Sequence, residues 1–312
     1  MRTMKAVCIY SYGGPSVLVY EDAPRPLPGD GEVLVRVHAA GVNPVDWKIR
    51  EGHMKEMLHH TFPLVLGWDV SGVIEALGAN TVRFRVGDEV FSRPDIARDG
   101  AYAEFIIIKE SEVALKPKSI DHIHAAALPL AGLTAWQTLF DAGGLSAGQR
   151  VLIHAAAGGV GTLAVQLAKW KGAQVIGTAS ESNHDFLRKL GVDQVVDYKR
   201  ERFEEVVQLV DVILDTMGGY TQERSWKVLK PGGILVSIVS PPSGEAATAH
   251  GVRQAFVFTK PNAPQLAEIA KLADAEKLKA IVETILPLSD ATRGQELCER
   301  GHTRGKIVLR VV

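Results

Sequence analysis

The run from Val151 to Gly161, Val-Leu-Ile-His-Ala-Ala-Ala-Gly-Gly-Val-Gly, constrains what this chain can fold into more than any other segment. An apolar stretch ends, glycines follow at once, and Thr162-Leu-Ala-Val-Gln-Leu-Ala-Lys169 then reads as a helix. Strand, tight glycine turn and helix in that order place the first amides of a helix at a bend. There they point outward and carry the positive end of the helix dipole, an anion site suited to a pyrophosphate. Against the dinucleotide pattern G-x-G-x-x-G, Ala156 takes the first glycine position, Gly158 the second and Gly161 the third. Gly158 lets backbone approach the phosphates, and Gly161 lets the helix pack closely on the strand. Gly158, Gly159, Val160 and Gly161 are the candidate phosphate-binding residues.

The surrounding sequence alternates in the same rhythm. Strands are expected at Val151–His154, Gln174–Thr178, Val195–Tyr198, Asp211–Asp215 and Gly233–Val239. Helices are expected up to Trp170, over 183–190 and around 221–229, with Gly172, Gly191 and Pro231-Gly232 as stops. Such alternation implies right-handed βαβ units and a parallel sheet covered on both faces. Helical pieces are expected at 124–129 and Leu133–Phe140, a polar loop at Ser240–Gly251, and a further strand at Phe256–Phe258. The earlier part is β-rich instead. Val33, Val35 and Val37 alternate with Leu34, Arg36 and His38, and more strands are expected at Lys5–Tyr10, Val70–Leu77, Glu89–Ser92 and Tyr102–Lys109. Glycine and proline punctuate them, which suggests an irregular β-barrel. The tail, with an amphipathic helix over Gln265–Ala273 and strands at Ile281–Leu288 and Lys306–Val312, returns to complete that barrel domain. The expectation is an α/β chain with a nucleotide domain over 125–261 inserted into a domain built from 1–124 and 262–312, and a cleft between the two.

Bulk composition excludes several function classes. A formal net charge of -1 over 312 residues gives no electrostatic reason to bind nucleic acid or an anionic membrane. Only two cysteines occur, Cys8 and Cys298, too few for a disulfide framework or a four-thiolate zinc site. No apolar run is long enough to span a bilayer. The opening residues run straight into strand-like sequence without a signal-peptide layout, so a cytoplasmic location is expected.

Several motifs then occur in a recognisable order: Ala39-Ala-Gly-Val-Asn-Pro-Val-Asp46, Leu66-Gly-Trp-Asp-Val-Ser-Gly72, Val86-Gly-Asp-Glu-Val90, Gly100-Ala-Tyr-Ala-Glu104, Leu128-Pro-Leu-Ala-Gly-Leu-Thr-Ala-Trp136 and Gly301-His-Thr-Arg-Gly-Lys-Ile-Val-Leu309. With the glycine turn, they make the chain resemble the zinc-free quinone oxidoreductase branch of the medium-chain dehydrogenase/reductase family. The resemblance covers nearly the whole length. It implies a GroES-like β-barrel catalytic domain, a doubly wound Rossmann domain and hydride transfer from a nicotinamide cofactor. At positions where zinc-binding relatives hold their metal, Asn43 replaces the first cysteine and Trp68 the histidine, and the four-cysteine structural loop is missing between Phe91 and Gly100. No zinc is therefore expected. His53, His59, His60, His122 and His124 read as ordinary loop or surface residues. Without a Lewis acid to form an alkoxide, alcohol oxidation gives way to reduction of a substrate that is already polarised.

The second strand of the nucleotide fold ends in Thr178, Ala179 and Ser180. The position that carries an acid in NAD sites is Ala179, so the site admits a 2′-phosphate, with Ser180 Oγ as donor. The other reading of Ser180 is a helix N-cap. The resemblance also carries Tyr198 to the adenosine phosphate, so NADPH is expected over NADH. One departure stands out. Relatives often hold Lys or Arg just after the serine, where this chain has Glu181, which would either repel the phosphate or face solvent.

For the chemistry, the resemblance places Asn43 near the nicotinamide with its side-chain amide as a donor. Lys48 stands where several quinone reductases carry a tyrosine; it is either a hydrogen-bond or proton donor or a surface lysine with a buried stem. Asp46 caps or orients the loop. Tyr102 is a further donor or barrel packing. The resemblance sets the Thr134 hydroxyl beside the nicotinamide and Lys306 near the cofactor phosphates. Asp69, at the former Glu position of the zinc branch, is expected to pair with Lys306. The expected function is zinc-independent, NADPH-dependent reduction of small-molecule quinones, enones or enals by a homodimer. The alternative is a nonenzymatic NADPH-binding structural or redox-sensing protein.

Overall fold

The computed structural model describes residues 2–312 and divides into two compact units. One comprises the stretch up to Leu130 together with Lys260–Glu276 and Ala280–Val312; the other comprises Ala131–Thr259 and Lys277–Lys279.

The second unit holds a six-stranded sheet in the spatial order Gln194–Asp197, Gln174–Ala179, Arg150–Ile153, Val210–Asp215, Leu229–Ser237 and Arg253–Phe256. Every neighbouring pair is parallel. Numbered along the chain, this is the 3-2-1-4-5-6 order of a Rossmann fold. Its central strands are apolar on both faces, with Val151, Leu152, Ile153, Ile213 and Leu214 all at 0% exposure. Both faces must therefore be covered, and each such side chain contributes about 1.5–3 kcal/mol of burial. Strand order reverses between Arg150–Ile153 and Val210–Asp215, and beyond the carboxyl ends of these strands lies the position where such sheets take ligands.

The first unit is built from a three-stranded sheet, centred on Thr3–Ile9, and a seven-stranded sheet, which the tail strand Lys306–Arg310 joins antiparallel to Glu32–Val42. Side chains of both sheets share one core, from Met4, Val7 and Ile9 through Val33, Val35 and Val37 to Ile307 and Leu309. Together the two units are the GroES-like and Rossmann architectures expected from the motifs.

Four local expectations need correction. Ser240–Gly251 is not an open loop, because Gly244–Ala249 forms a helix capped by Ser243, whose Oγ accepts from the amide of Ala246 at 3.1 Å. Its small residues hide the helical period, and the cap was the readable signal. The last strand runs over Arg253–Phe256 and leaves Phe258 beyond it. Pro231-Gly232 does not stop a helix; it sits inside the strand Leu229–Ser237, which starts earlier than expected and carries an irregular register opposite Val210–Val212. The helix Pro129–Trp136 widens into a π-helical turn over Gln137–Ala142, where the Thr138 hydroxyl donates to the carbonyl of Thr134 at 2.7 Å.

Candidate functional site

The glycine turn sits at the end of the first Rossmann strand. The helix Gly159–Trp170 follows it with Gly158 as N-cap, and no side chain caps that end. Amides of a first helical turn have no intrahelical acceptor, so this end is open to a ligand. At Gly161 an added Cβ would stand 2.4 Å from the carbonyl oxygen of Ala155 and 2.7 Å from Cα of Ala156. At Gly158 it would meet only the Ala155 oxygen at 3.3 Å, so one glycine serves packing and the other leaves open space. The turn that creates this cradle places Ala155 in the left-handed region, at φ 49. The Gly158 amide donates to the carbonyl of Ala155 at 3.0 Å, and the amides of Gly159, Val160 and Gly161 fit a dinucleotide diphosphate that approaches over Gly158.

Thr178 holds the turn from below. Its Oγ1 accepts the Ala155 amide at 3.1 Å, and its carbonyl accepts the Ala156 amide at 3.0 Å. His154 completes the brace. Ser225 Oγ donates to the carbonyl of Thr221 at 2.8 Å, so Nε2–H of His154 donates to Ser225 Oγ at 2.9 Å and Nδ1 faces the Thr178 hydroxyl at 3.4 Å. The ring is neutral, since burial pushes its pKa down to about 4 despite the charge of Asp215. An unfolded histidine takes up a proton near pH 6.5. Stability from this ring is therefore full above that pH and is lost as pH falls toward 4. His154→Gln should shrink the loss of unfolding free energy between pH 7 and pH 5 by about 2 kcal/mol. Urea titrations at the two pH values measure it, and an equal loss in both proteins would refute the neutral brace.

Sequence reasoning missed the residues on the other side of the strand reversal. Asp215 Oδ1 accepts the amides of Met217 and Gly218, each at 2.9 Å, and Thr216 Oγ1 donates to the carbonyl of His154 at 2.9 Å. An aspartate closing an apolar strand before Gly218-Gly219 was the available signal. Thr134 is buried with its Oγ1 2.7 Å from Thr259 Oγ1, a residue the sequence did not single out.

Beyond the second and third strands, Ser180 is half-buried, with its Oγ 3.2 Å from Ser182 Oγ and 3.3 Å from Asn183 Nδ2. It occupies the N-cap position of the short turn Glu181–Asn183, but no side-chain capping bond forms. Ala179 is buried, and Tyr198 is exposed, with its amide donating to the Ala179 carbonyl at 3.4 Å. Glu181 is not simply solvated: Arg200 Nη2 meets its Oε2 at 2.8 Å.

In the first unit, the tail brings Lys306 to Asn43 and Asp69. Lys306 Nζ donates to the carbonyl of Val42 at 3.0 Å, to Asp69 Oδ2 at 3.0 Å and to Asn43 Oδ1. Asn43 Nδ2 donates to Asp69 Oδ2 at 2.9 Å, and Asp69 Oδ1 accepts the Leu130 amide at 2.7 Å. The expected pairing of Lys306 with Asp69 is thus present. An ammonium has three N–H groups, and all three are spent inside this unit, leaving none for a phosphate in this arrangement. Asp46 Oδ2 accepts the Asn43 amide and the Tyr102 hydroxyl, each at 2.8 Å. Asp46 therefore orients the start of the helix Pro44–Arg50, and Tyr102, at 0% exposure, is packing. Burial raises the Asp46 carboxyl to about 7. Lys48 lies on the same helix, half-buried, with Nζ 5.8 Å from the centre of the Trp47 ring.

Trp68, at the former histidine position, is fully buried and donates from Nε1 to the carbonyl of Arg98 at 3.0 Å. His122 is not a plain surface residue. It stacks on His38 at 4.2 Å, approaches Ser71 Oγ at 2.8 Å and Glu89 at 3.2 Å, and burial lowers it to about 4. Among the described residues no three His, Cys, Asp or Glu gather as metal ligands, and no helix is long and apolar enough to cross a membrane.

Comparison with known proteins agrees with this architecture. The profile of the Alcohol dehydrogenase GroES-like domain matches residues 29–118, and that of the Zinc-binding dehydrogenase domain matches 190–309. The chain is 37% identical to the mitochondrial NAD(P)H oxidoreductase RTN4IP1 of Mus musculus, over 90% of this chain and 82% of that protein. It superposes on the quinone oxidoreductase of Coxiella burnetii with a TM-score of 0.93 at 37% identity, over 100% of both chains. The chain belongs to the medium-chain dehydrogenase/reductase family, in its quinone oxidoreductase branch. This family member is 35% identical to the 2-methylene-furan-3-one reductase of Solanum lycopersicum, over 98% of this chain and 79% of that protein. It is an oxidoreductase of a family that uses NAD(P)H in its Rossmann domain.

Proposed function

We propose that the protein is an NADPH-dependent reductase of quinones and α,β-unsaturated carbonyl compounds that works without zinc. The observation that carries this reading is the uncapped helix start at Gly158–Gly161, in a sheet of 3-2-1-4-5-6 order. The proposed cofactor contacts are Gly158, Gly159, Val160 and Gly161 for the diphosphate, Thr178, Ala179, Ser180 and Tyr198 for the adenosine end, and Thr134 and Asn43 for the nicotinamide. Bound there, NADPH supplies a hydride. In quinone reduction one hydride and one proton convert the quinone to a hydroquinone.

Asn43 and Lys48 are proposed as donors to the substrate oxygen on which negative charge develops. The Asn43 amide keeps one N–H after its bond to Asp69, and the ammonium of Lys48 supplies a mobile donor or proton. Lys306 and Asp69 position Asn43 by holding its amide from both ends. The donor set argues against a zinc site, because an asparagine amide and a buried indole replace the two ligands and neither offers an anionic or imidazole lone pair. Similarity to an NAD(P)H oxidoreductase supports the cofactor class, and similarity to a 2-methylene-furan-3-one reductase supports the substrate class. The reading includes a homodimer, with Arg253–Phe256 as the exposed sheet edge and Phe256 and Phe258 as apolar contacts.

A stopped-flow screen of NADPH and NADH against ortho-quinones, enals and enones tests the proposal. Oxidation of NADPH by at least one of these classes, unaffected by chelator, is the expected result. Cofactor binding without turnover across the panel would overturn it.

A further inference from the structure

Directly after Ser180 the chain carries an acidic residue, Glu181. A carboxylate in that place should reject a 2′-phosphate unless something neutralises it. Arg200 does so in this structure, with Nη2 at 2.8 Å from Glu181 Oε2, while its Nε lies 3.8 Å from Asp197 Oδ2. The guanidinium follows Tyr198 at the end of the third strand, and Glu181 follows Ser180 at the end of the second. The two strands are parallel and paired in register from Ile176 with Gln194 to Ala179 with Asp197. The ion pair therefore spans the carboxyl edge of the sheet beside Ser180, where dinucleotide folds read the adenosine ribose.

We infer that Arg200 is the residue that selects NADPH, and that Glu181 is its resting counter-ion. This rests on the dinucleotide reading above and assigns a determinant within it. The side chains are 68% and 63% exposed, so water and salt weaken their attraction and little free energy holds them together. A 2′-phosphate carries more charge than a carboxylate and three acceptor oxygens, and a guanidinium meets it with two parallel N–H donors. Exchange of Glu181 for the phosphate therefore favours binding. With NADH the ribose hydroxyl gives Arg200 no anion, and the resting pair stays closed. Asp197 is fixed by the backbone amide of Lys199 at 3.0 Å and remains under Arg200 in either state. Lys199 adds a second positive charge nearby that cannot make the bidentate contact.

Direct binding separates these effects without turnover. Dissociation constants for NADPH, NADH, 2′,5′-ADP and 5′-AMP are measured by calorimetry on the native chain, Arg200→Gln and Glu181→Gln, with melting curves as the folding control. Arg200→Gln should weaken NADPH and 2′,5′-ADP about 10- to 50-fold and change NADH and 5′-AMP less than twofold. Glu181→Gln should tighten NADPH about threefold, because the competing anion is gone, again with NADH unmoved. Equal weakening of both dinucleotides by Arg200→Gln, or none, would overturn the inference while leaving dinucleotide binding intact. A native chain that binds neither dinucleotide would overturn the underlying reading itself.

Discussion

Gly161→Ala is expected to destabilise the Rossmann unit by about 1–3 kcal/mol and to weaken dinucleotide binding at least tenfold. The added methyl has nowhere to go. It would lie 2.4 Å from the Ala155 oxygen and 2.7 and 2.8 Å from Cα and C of Ala156, all of them backbone atoms. No rotamer change relieves such a contact, so the start of the helix must move off the turn. The turn cannot yield easily either, since both amides of Ala155 and Ala156 are tied to Thr178. Displacement of the helix start also moves the amides that would meet the diphosphate. Gly158→Ala is the matched control. Its methyl would face open space apart from one contact at 3.3 Å, so the melting temperature should hardly change. NADPH affinity should still fall, because the methyl occupies the side from which the phosphates approach. Melting curves and binding titrations on the two variants check the pair. A Gly161→Ala protein as stable as the native chain would show that the helix start is not packed as described.

Lys306→Ala is the other large change, with an expected cost of about 3–5 kcal/mol. The ammonium and Asp69 are both buried, at 5% and 0% exposure. Removal of the lysine leaves a carboxylate out of water with only the Asn43 amide and the Leu130 amide as donors. The double variant Lys306→Met with Asp69→Asn should recover part of that loss, because no net charge then remains buried. Chemical denaturation of the single and double variants gives the coupling directly. Additive effects would mean that the ion pair is not formed in solution. The same variants bear on function. If Lys306 positions Asn43, then Lys306→Ala should lower turnover more than it raises the dissociation constant for NADPH.

The glycine turn was legible because its cause is local. A strand that ends in glycines and restarts as a helix has few backbone solutions, and the Cβ contact at Gly161 shows why the third glycine is required. The roles of Thr178 and Ser225 were not legible. Thr178 reads as one more strand residue, and only the register of its strand against Arg150–Ile153 brings its hydroxyl under Ala155. Glu181 illustrates the same limit from the other side. Its charge is plain in the sequence, but its meaning depends on Arg200, which lies on the neighbouring strand's exit.

By itself the sequence determined the two architectures, their order along the chain and the position of the phosphate turn. Hydrophobic period, glycine sterics and turn chemistry act over a few residues, and they suffice for those features. The tertiary structure decided which polar groups meet. Lys306 reaches Asn43 across a separation of 263 residues, and it does so because the tail strand pairs antiparallel with the end of Glu32–Val42. Charge partners inside a fold are set by strand pairing and burial, which no local spacing encodes.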